Sequence, residues 1–87
     1  MLHYVYMIEC VNGSYYTGYT IDVTRRYQEH VAGSSKSKYT RAFPPKKLVA
    51  VWKFKNKSEA LRFELEIKAL TKVEKEKIVK SVSEVEH

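Results

Sequence analysis

Cysteine, proline and glycine are all scarce in this chain, and each scarcity removes a class of explanation. The single cysteine, Cys10, rules out an intramolecular disulfide and fits a reducing, cytoplasmic compartment. It alternates with Ile8 and Tyr6, which suits a small buried hydrophobe on a strand. The three glycines are dispersed, so no glycine loop is available to cradle a phosphate. No apolar run approaches the roughly 20 residues of a membrane span, and no stretch reads as a signal peptide or as a basic helix with a broad apolar face. A membrane partner is therefore not expected. His3, His30, His87 and Cys10 lack the spacing of a structural zinc site. No Ser-His-Asp arrangement can be argued. There is no internal repeat and no linker, which leaves one domain over residues 1–87.

What is abundant is positive charge and tyrosine. The 87 residues carry a formal net charge of +6 and a sequence pI near 9.5, a balance that suits an anionic partner. With the membrane set aside, nucleic acid is the natural candidate. An apolar content of 44% and an aromatic content of 13% argue for a folded globule. A domain of this size buries only about 60–65% of the surface its unfolded chain exposes. Few positions can then carry chemistry without a cost in stability.

The pattern along the chain reads ββαβα with a C-terminal helix. Residues 3–10 and 14–20 alternate as strands around Asn12-Gly13, a hairpin turn signal. Asp22 can cap a helix over "VTRRYQEHV", and Gly33 stops it. "SSKSKYTRAFPP" reads as a basic loop closed by Pro44-Pro45. "KLVAVWKFK" is a third strand, rich in β-branched and aromatic residues. Ser58 is the expected cap of a second helix that runs to about Thr71. Residues 73–85 suit a third, highly charged helix, in an extension at 73–87 beyond a core of about 3–72. The expected fold class is α+β: a three-stranded, mainly antiparallel sheet flanked by helices.

Helical geometry separates the candidate site residues. In the first helix Val23, Tyr27 and Val31 form a stripe expected to face the sheet, with Arg26 and His30 beside it. Arg25 points to the other side and is expected to be solvated. Arg26, held at the edge of the core, can present its fork to a phosphate or pair with a structural carboxylate. In the second helix Ala60, Phe63, Ile67 and Leu70 form one apolar stripe; Leu61, Leu65 and Ala69 form another. Glu64 falls between them. A carboxylate there needs a partner, either a metal ion or Lys68 one turn on.

The stretch "YVYMIECVNGSYYTGYT" holds five tyrosines. Cross-strand packing accounts for Tyr4, Tyr15 and Tyr19. Tyr6 and Tyr16 are candidates for a phenol pair facing a phosphate. A phenol acts as a base at neutral pH only beside a cation, which Arg26 or a metal on Glu64 could supply. Gly18, inside a strand, suits either a bulge or the close approach of a phosphate.

These parts together resemble the GIY-YIG nuclease superfamily, and within it the small stand-alone proteins and the nuclease domain of Slx-type structure-specific endonucleases. The resemblance covers residues 3 to about 72. "YVY" stands in the place of the first motif and "YTG" in that of the second. Arg26 lies ten residues after Tyr16, at the spacing of the superfamily's catalytic arginine. His30 matches a frequent active-site histidine, and "EALRFELEIK" places the metal-binding glutamate on Glu64. "SKYTR" resembles the basic loop of the stand-alone group. Tyr4 and Thr17 depart from the motif glycine and isoleucine, neither of which supplies catalytic atoms.

The resemblance implies hydrolysis of DNA phosphodiesters with one divalent ion, Mg²⁺ or Mn²⁺. Glu64 would hold the ion. Arg26 would stabilise the charge on the phosphorus, Tyr6 or Tyr16 would activate or orient water, and His30 would help to position the reacting groups. Lys36, Lys38, Arg41, Lys46 and Lys47 are the expected backbone contacts, joined by Arg25 and by Lys72, Lys75 and Lys80 near the C-terminus. Tyr39 can stack on a base or pack within its loop. Two other readings stay open: a non-catalytic nucleic-acid-binding module, with RNA a possible ligand, and an accessory that binds a repair protein.

Overall fold

Asn12 and Gly13 reverse the chain at the start of the fold. Gly13 has φ +84°, a left-handed conformation that favours glycine. The Ser14 backbone N–H donates to Asn12 Oδ1 at 3.2 Å, which closes the turn between β1 (His3–Cys10) and β2 (Tyr15–Thr20). The computed structural model describes residues 1–85. Glu86 and His87, the end of the expected charged extension, lie outside the described residues. β3 (Pro45–Phe54) pairs with the other side of β1, and the sheet has the order β2-β1-β3 with both pairings antiparallel.

Alternation along β1 gives the sheet two different faces. Tyr6, Ile8 and Cys10 look toward α1 (Val23–Ala32), where Tyr16 and Tyr27 pack against them. Met7 looks the other way, into a cluster with Ala50 and Ile67. α3 (Lys57–Lys68) and α4 (Lys72–Val85) cover that second face with Phe63, Ile78, Val79 and Val82, and Leu70 joins them from the α3–α4 connection. Cys10 is buried, as its alternation predicts.

Four local expectations are corrected. "SSKSKYTRAFPP" is not all loop: residues Lys38–Ala42 form the short helix α2. Five residues are too few to be helical by propensity alone. Tertiary bonds hold them, from Thr40 to His30 and from Tyr39 to Ser14. Asn56, not Ser58, caps α3, with its Oδ1 accepting the Glu59 N–H at 2.9 Å. Asn and Ser are equally good caps, so local propensity could not choose between them. α3 also ends at Lys68, short of Thr71, and Thr71 instead caps α4. Its Oγ1 accepts the Glu74 N–H while Glu74 Oε1 accepts the Thr71 N–H, a reciprocal capping box. α4 is therefore part of the packing and not an appended charged tail.

The last correction concerns α1. Asp22 caps it and Gly33, with φ +70°, ends it as expected, but its buried flank is rotated. Val31 is 61% exposed, whereas His30 is 1% exposed. α2 closes over the His30 side of α1 and satisfies the ring, so the imidazole is buried in the place expected of an apolar residue. On α3 the stripe of Ala60, Phe63 and Ile67 faces the sheet as expected, and the second stripe faces outward, with Leu65 67% exposed.

Candidate active site

Two buried hydrogen bonds organise the α1 face of the sheet. Tyr6, 1% exposed, places its hydroxyl 2.8 Å from His30 Nε2. Nδ1 of the same ring lies 2.7 Å from Thr40 Oγ1. The Thr40 hydroxyl donates to the Ser37 carbonyl at 3.2 Å, so its oxygen accepts from His30 Nδ1–H. That assigns the neutral tautomer with the proton on Nδ1, leaving Nε2 to accept the Tyr6 O–H. Burial first, and then the Arg26 cation, lower the His30 pKa to about 4, in keeping with a neutral ring. Burial, followed by the Tyr16 phenol, raises the Tyr6 pKa well above the ordinary phenol value, against the opposing pull of Arg26.

Gly18 has a cause that neither sequence reading contained. Tyr6 pairs with Gly18 across the two strands, and the β1–β2 register is regular from Tyr4–Thr20 to Glu9–Tyr15, so there is no bulge there. The space a Cβ would need is already filled by the Tyr6 ring, whose Cζ would lie at 2.6 Å and its hydroxyl closer still. The glycine makes room for this chain's own phenol, not for a phosphate. Tyr16, two residues earlier, is half-buried and lies edge-on to His30 with ring centroids 5.0 Å apart. Its ring is 6.2 Å from that of Tyr6, so the predicted phenol pair exists, set diagonally across the strands.

Arg26 is anchored beside this cluster. Its guanidinium donates to Glu29 Oε1 at 3.1 Å, Ser37 Oγ at 3.1 Å and the Lys36 carbonyl at 2.9 Å. These bonds use three of the five N–H groups of an arginine, and the guanidinium also lies against the Tyr6 hydroxyl. The carboxylate pairing considered from sequence is thus present, and it orients the fork instead of exhausting it. The guanidinium borders a cavity of about 210 Å³, also lined by Arg25, Glu29 and Lys36. Arg25 is largely solvated, as expected, and reaches Glu29 only at 3.9 Å. Ser37 and Thr40 are the residues that sequence reasoning missed. Each is a small hydroxyl in an apparent loop, and only its burial (3% and 2% exposed) marks it as fixed.

Glu64 lies on the other layer. Around α3, Phe63 packs against Trp52 and Phe54 of β3, so Glu64, across the Ala60–Ile67 line, falls on the β2 side. Its side chain is only 14% exposed and pairs with Lys68 at 3.2 Å. Among the described residues no hydrogen bond or ion pair joins Glu64 to Arg26, His30 or the two tyrosines. Nor do three His, Cys, Asp or Glu side chains gather as a metal cage there. A lone carboxylate fits magnesium, which binds proteins through one or two carboxylates and completes its shell with water and substrate phosphate.

The expected nucleic-acid contacts divide into two groups. Lys46 and Lys47 each reach Glu9 at 3.9 Å, which partly neutralises them. Lys36, Lys38 and Arg41 form no ion pair among the described residues, and the last two line a cavity of about 430 Å³. Tyr39 packs against Tyr16 and Phe43 and donates its hydroxyl to Ser14 Oγ at 2.7 Å.

The fold is α+β, a three-stranded antiparallel sheet flanked by helices with a hydrogen-bonded polar cluster on one face. Residues 2–77 match the model of the GIY-YIG catalytic domain. The chain belongs to the GIY-YIG family, within a superfamily of nucleases. It is similar to a UPF0213 protein of Halalkalibacterium halodurans, 52% identical over 91% of this chain and 83% of that one. A UPF0213 protein of Halobacterium salinarum is 52% identical over 86% of this chain and 96% of its own length. The solution NMR structure of a UPF0213 protein from Bacillus halodurans covers 92% of this chain and 84% of its own, with 51% identity and a TM-score of 0.59. These relatives place the chain among small UPF0213 proteins; the finer likeness to Slx-type domains rests on the motifs alone.

Proposed function

We propose that this protein is an endonuclease that hydrolyses DNA phosphodiester bonds with one bound Mg²⁺ or Mn²⁺. The observation that carries the reading is Arg26: a guanidinium fixed by three hydrogen bonds, at the edge of a cleft that Arg25 and Lys36 line together with Asp22 and Glu29, and beside the Tyr6–His30–Tyr16 cluster. The guanidinium binds the non-bridging oxygens of the scissile phosphate and stabilises the charge that builds there. Such contacts contribute roughly 3–4 kcal/mol. Tyr16, the more exposed phenol, orients and activates the attacking water. Tyr6 is a positioning residue: its hydroxyl is committed to His30 and its burial disfavours the phenolate. His30, neutral and held by Thr40, keeps both rings in place. Glu64 holds the metal ion, which when bound polarises the phosphate and neutralises the leaving oxygen. Recognition is of backbone and shape, a mode suited to Lys36, Lys38 and Arg41, which form no ion pair among the described residues.

The test is a cleavage panel of single-stranded, nicked, flapped and branched DNA with Mg²⁺ or Mn²⁺. Arg26→Ala and Glu64→Ala are each expected to lower the rate about 10²–10³-fold while far-ultraviolet circular dichroism stays that of the parent. The Glu64–Lys68 pair itself contributes only a few tenths of a kcal/mol, so the fold survives its loss. A pure parent protein that cuts none of the panel, or an Arg26→Ala variant that cuts at the parent rate, overturns the proposal.

A further inference from the structure

The aromatic cluster does not stop at Tyr16. The rings continue outward as a ladder, Tyr16 to Tyr39 at 5.5 Å and Tyr39 to Phe43 at 5.1 Å between centroids. The last two rungs are open to solvent, Tyr39 by 38% and Phe43 by 40%. They are also fixed. Tyr39 is tied through its hydroxyl to Ser14, and the Phe43 N–H donates to the Tyr39 carbonyl at 2.9 Å. Burying these rings in the interior would have given more stability than leaving them at the surface. Their surroundings are wholly cationic in sequence, for no Asp or Glu occurs between Glu29 and Glu59. Lys38 and Arg41, on the same short helix, line a cavity together with Ala42. Rigid ring faces at Tyr39 and the helix C-cap Phe43, with two cations on the same helix that form no ion pair among the described residues, fit a strand that carries both bases and phosphates.

We propose that Tyr39 and Phe43 form a stacking shelf for an unpaired nucleobase, and hence that the site takes single-stranded DNA or a single-stranded segment of a larger DNA. The inference rests on the nucleic-acid reading above and names its substrate class. A base within a duplex is stacked on its neighbours and offers no ring face to the protein; an unpaired base does. A base on the Phe43 rung stands at the outer end of a ladder that leads inward through Tyr39 to Tyr16, with Lys38 and Arg41 on the short helix that Phe43 caps.

The test is equilibrium binding in EDTA, where no cleavage is possible, followed by fluorescence anisotropy. The probes are a labelled single-stranded thymidine oligonucleotide, an abasic strand of the same length, and a blunt duplex. The base-bearing strand is expected to bind about tenfold more tightly than the abasic one, the size of a single base–aromatic stack. Tyr39→Leu and Phe43→Leu each bring that ratio toward one, while the dependence on salt stays unchanged because no phosphate contact is removed. Phe43→Trp keeps the ratio. Equal binding of the base-bearing and abasic strands overturns the shelf, as do Leu variants that leave the ratio intact. If the Leu variants do not fold, the ratio in the parent protein decides alone. A concentration-dependent dimer dispersed by Phe43→Glu, with no preference for bases, also overturns it and assigns the rings to a second copy of the chain. The nuclease reading fails separately: a protein that prefers base-bearing strands but cuts nothing keeps the shelf and loses the catalysis.

Discussion

The two faces of the sheet are built from neighbouring residues on β1 and by different physics. Met7 enters a cluster of Ala50, Ile67, Phe63 and the α4 residues Ile78, Val79 and Val82, whose stabilisation is apolar burial with no preferred direction. Tyr6, its immediate neighbour, enters a chain of directed bonds through His30 and Thr40 to the Ser37 carbonyl, while the Ser37 hydroxyl receives Arg26. The first face tolerates repacking, within limits of volume. The second is satisfied only when each partner is present, because an unpaired polar group in a low-dielectric interior is costly. The contrast has one exception. Thr17 pairs with Met7 and so looks toward α3; its Oγ1 is the buried side-chain polar atom without a partner among the described residues. Among the described residues the buried side-chain polar atoms of the site face are bonded, and the unmet buried one sits on the apolar face. The sheet thus separates the layer that carries most of the apolar core from the layer that holds the hydrogen-bonded Tyr6–His30–Thr40 cluster, and Glu64, paired with Lys68, lies on the apolar side.

Three experiments bear on this contrast, beyond those above. The largest effect is expected from Gly18→Ala, which forces the Tyr6 ring out of its place. Overpacking of this kind costs about 1–3 kcal/mol, and here the Tyr6–His30 bond goes with it. Urea unfolding should show a loss near the top of that range, and proton NMR should show the His30 ring signals shifted. A smaller loss with unmoved His30 signals would mean that the site face adapts as freely as the other. The second experiment uses pH. His30 titrates at about 4 in the fold against 6.5 ordinarily, owing to burial and then Arg26. Below pH 6.5 the unfolded chain takes up a proton that the folded chain refuses. The stability associated with His30 is therefore fully present above 6.5 and is lost as the pH falls toward 4. The difference between pH 7.5 and pH 5 should be about 2 kcal/mol, and His30→Gln should remove most of that slope. The smallest effect belongs to Thr17→Val. Exchanging an unpartnered hydroxyl for a methyl of similar shape should leave stability unchanged or raise it by up to about 1 kcal/mol, with any cleavage activity unaffected. A loss of stability would reveal a partner for Thr17 and remove the exception.

Much of the architecture was legible before any coordinates. Alternation, the Asn12-Gly13 turn, Asp22 and Gly33 are local signals, and the strands and α1 fall where those signals put them. Helical geometry was enough to separate Arg26 from Arg25, because a turn of 100° per residue sends adjacent side chains to different environments, and the ten-residue spacing from Tyr16 implied by the family resemblance agrees with it. Legibility failed where stability is not local. α2 is held by Thr40 and Tyr39 reaching other elements, so its segment read as a loop. The buried flank of α1 is set by which side α2 covers, so Val31 was misplaced and the depth of His30 was not foreseen. Gly18 suited a bulge or a phosphate equally, because its neighbour on β1 cannot be known until the register is.

By itself, the amino-acid sequence determined that this is a small basic α+β domain with a paired-tyrosine hairpin, an arginine at the edge of one helix and a carboxylate on another. Periodicity, turn chemistry and charge are properties of short stretches and survive in a string of letters. The tertiary structure alone decided that Tyr6 is buried over Gly18 and bonded to a neutral His30, that Ser37 and Thr40 hold the site together, and that Glu64 stands on the opposite layer. Those facts depend on strand register and on which helix covers which face, and both are settled by long-range packing.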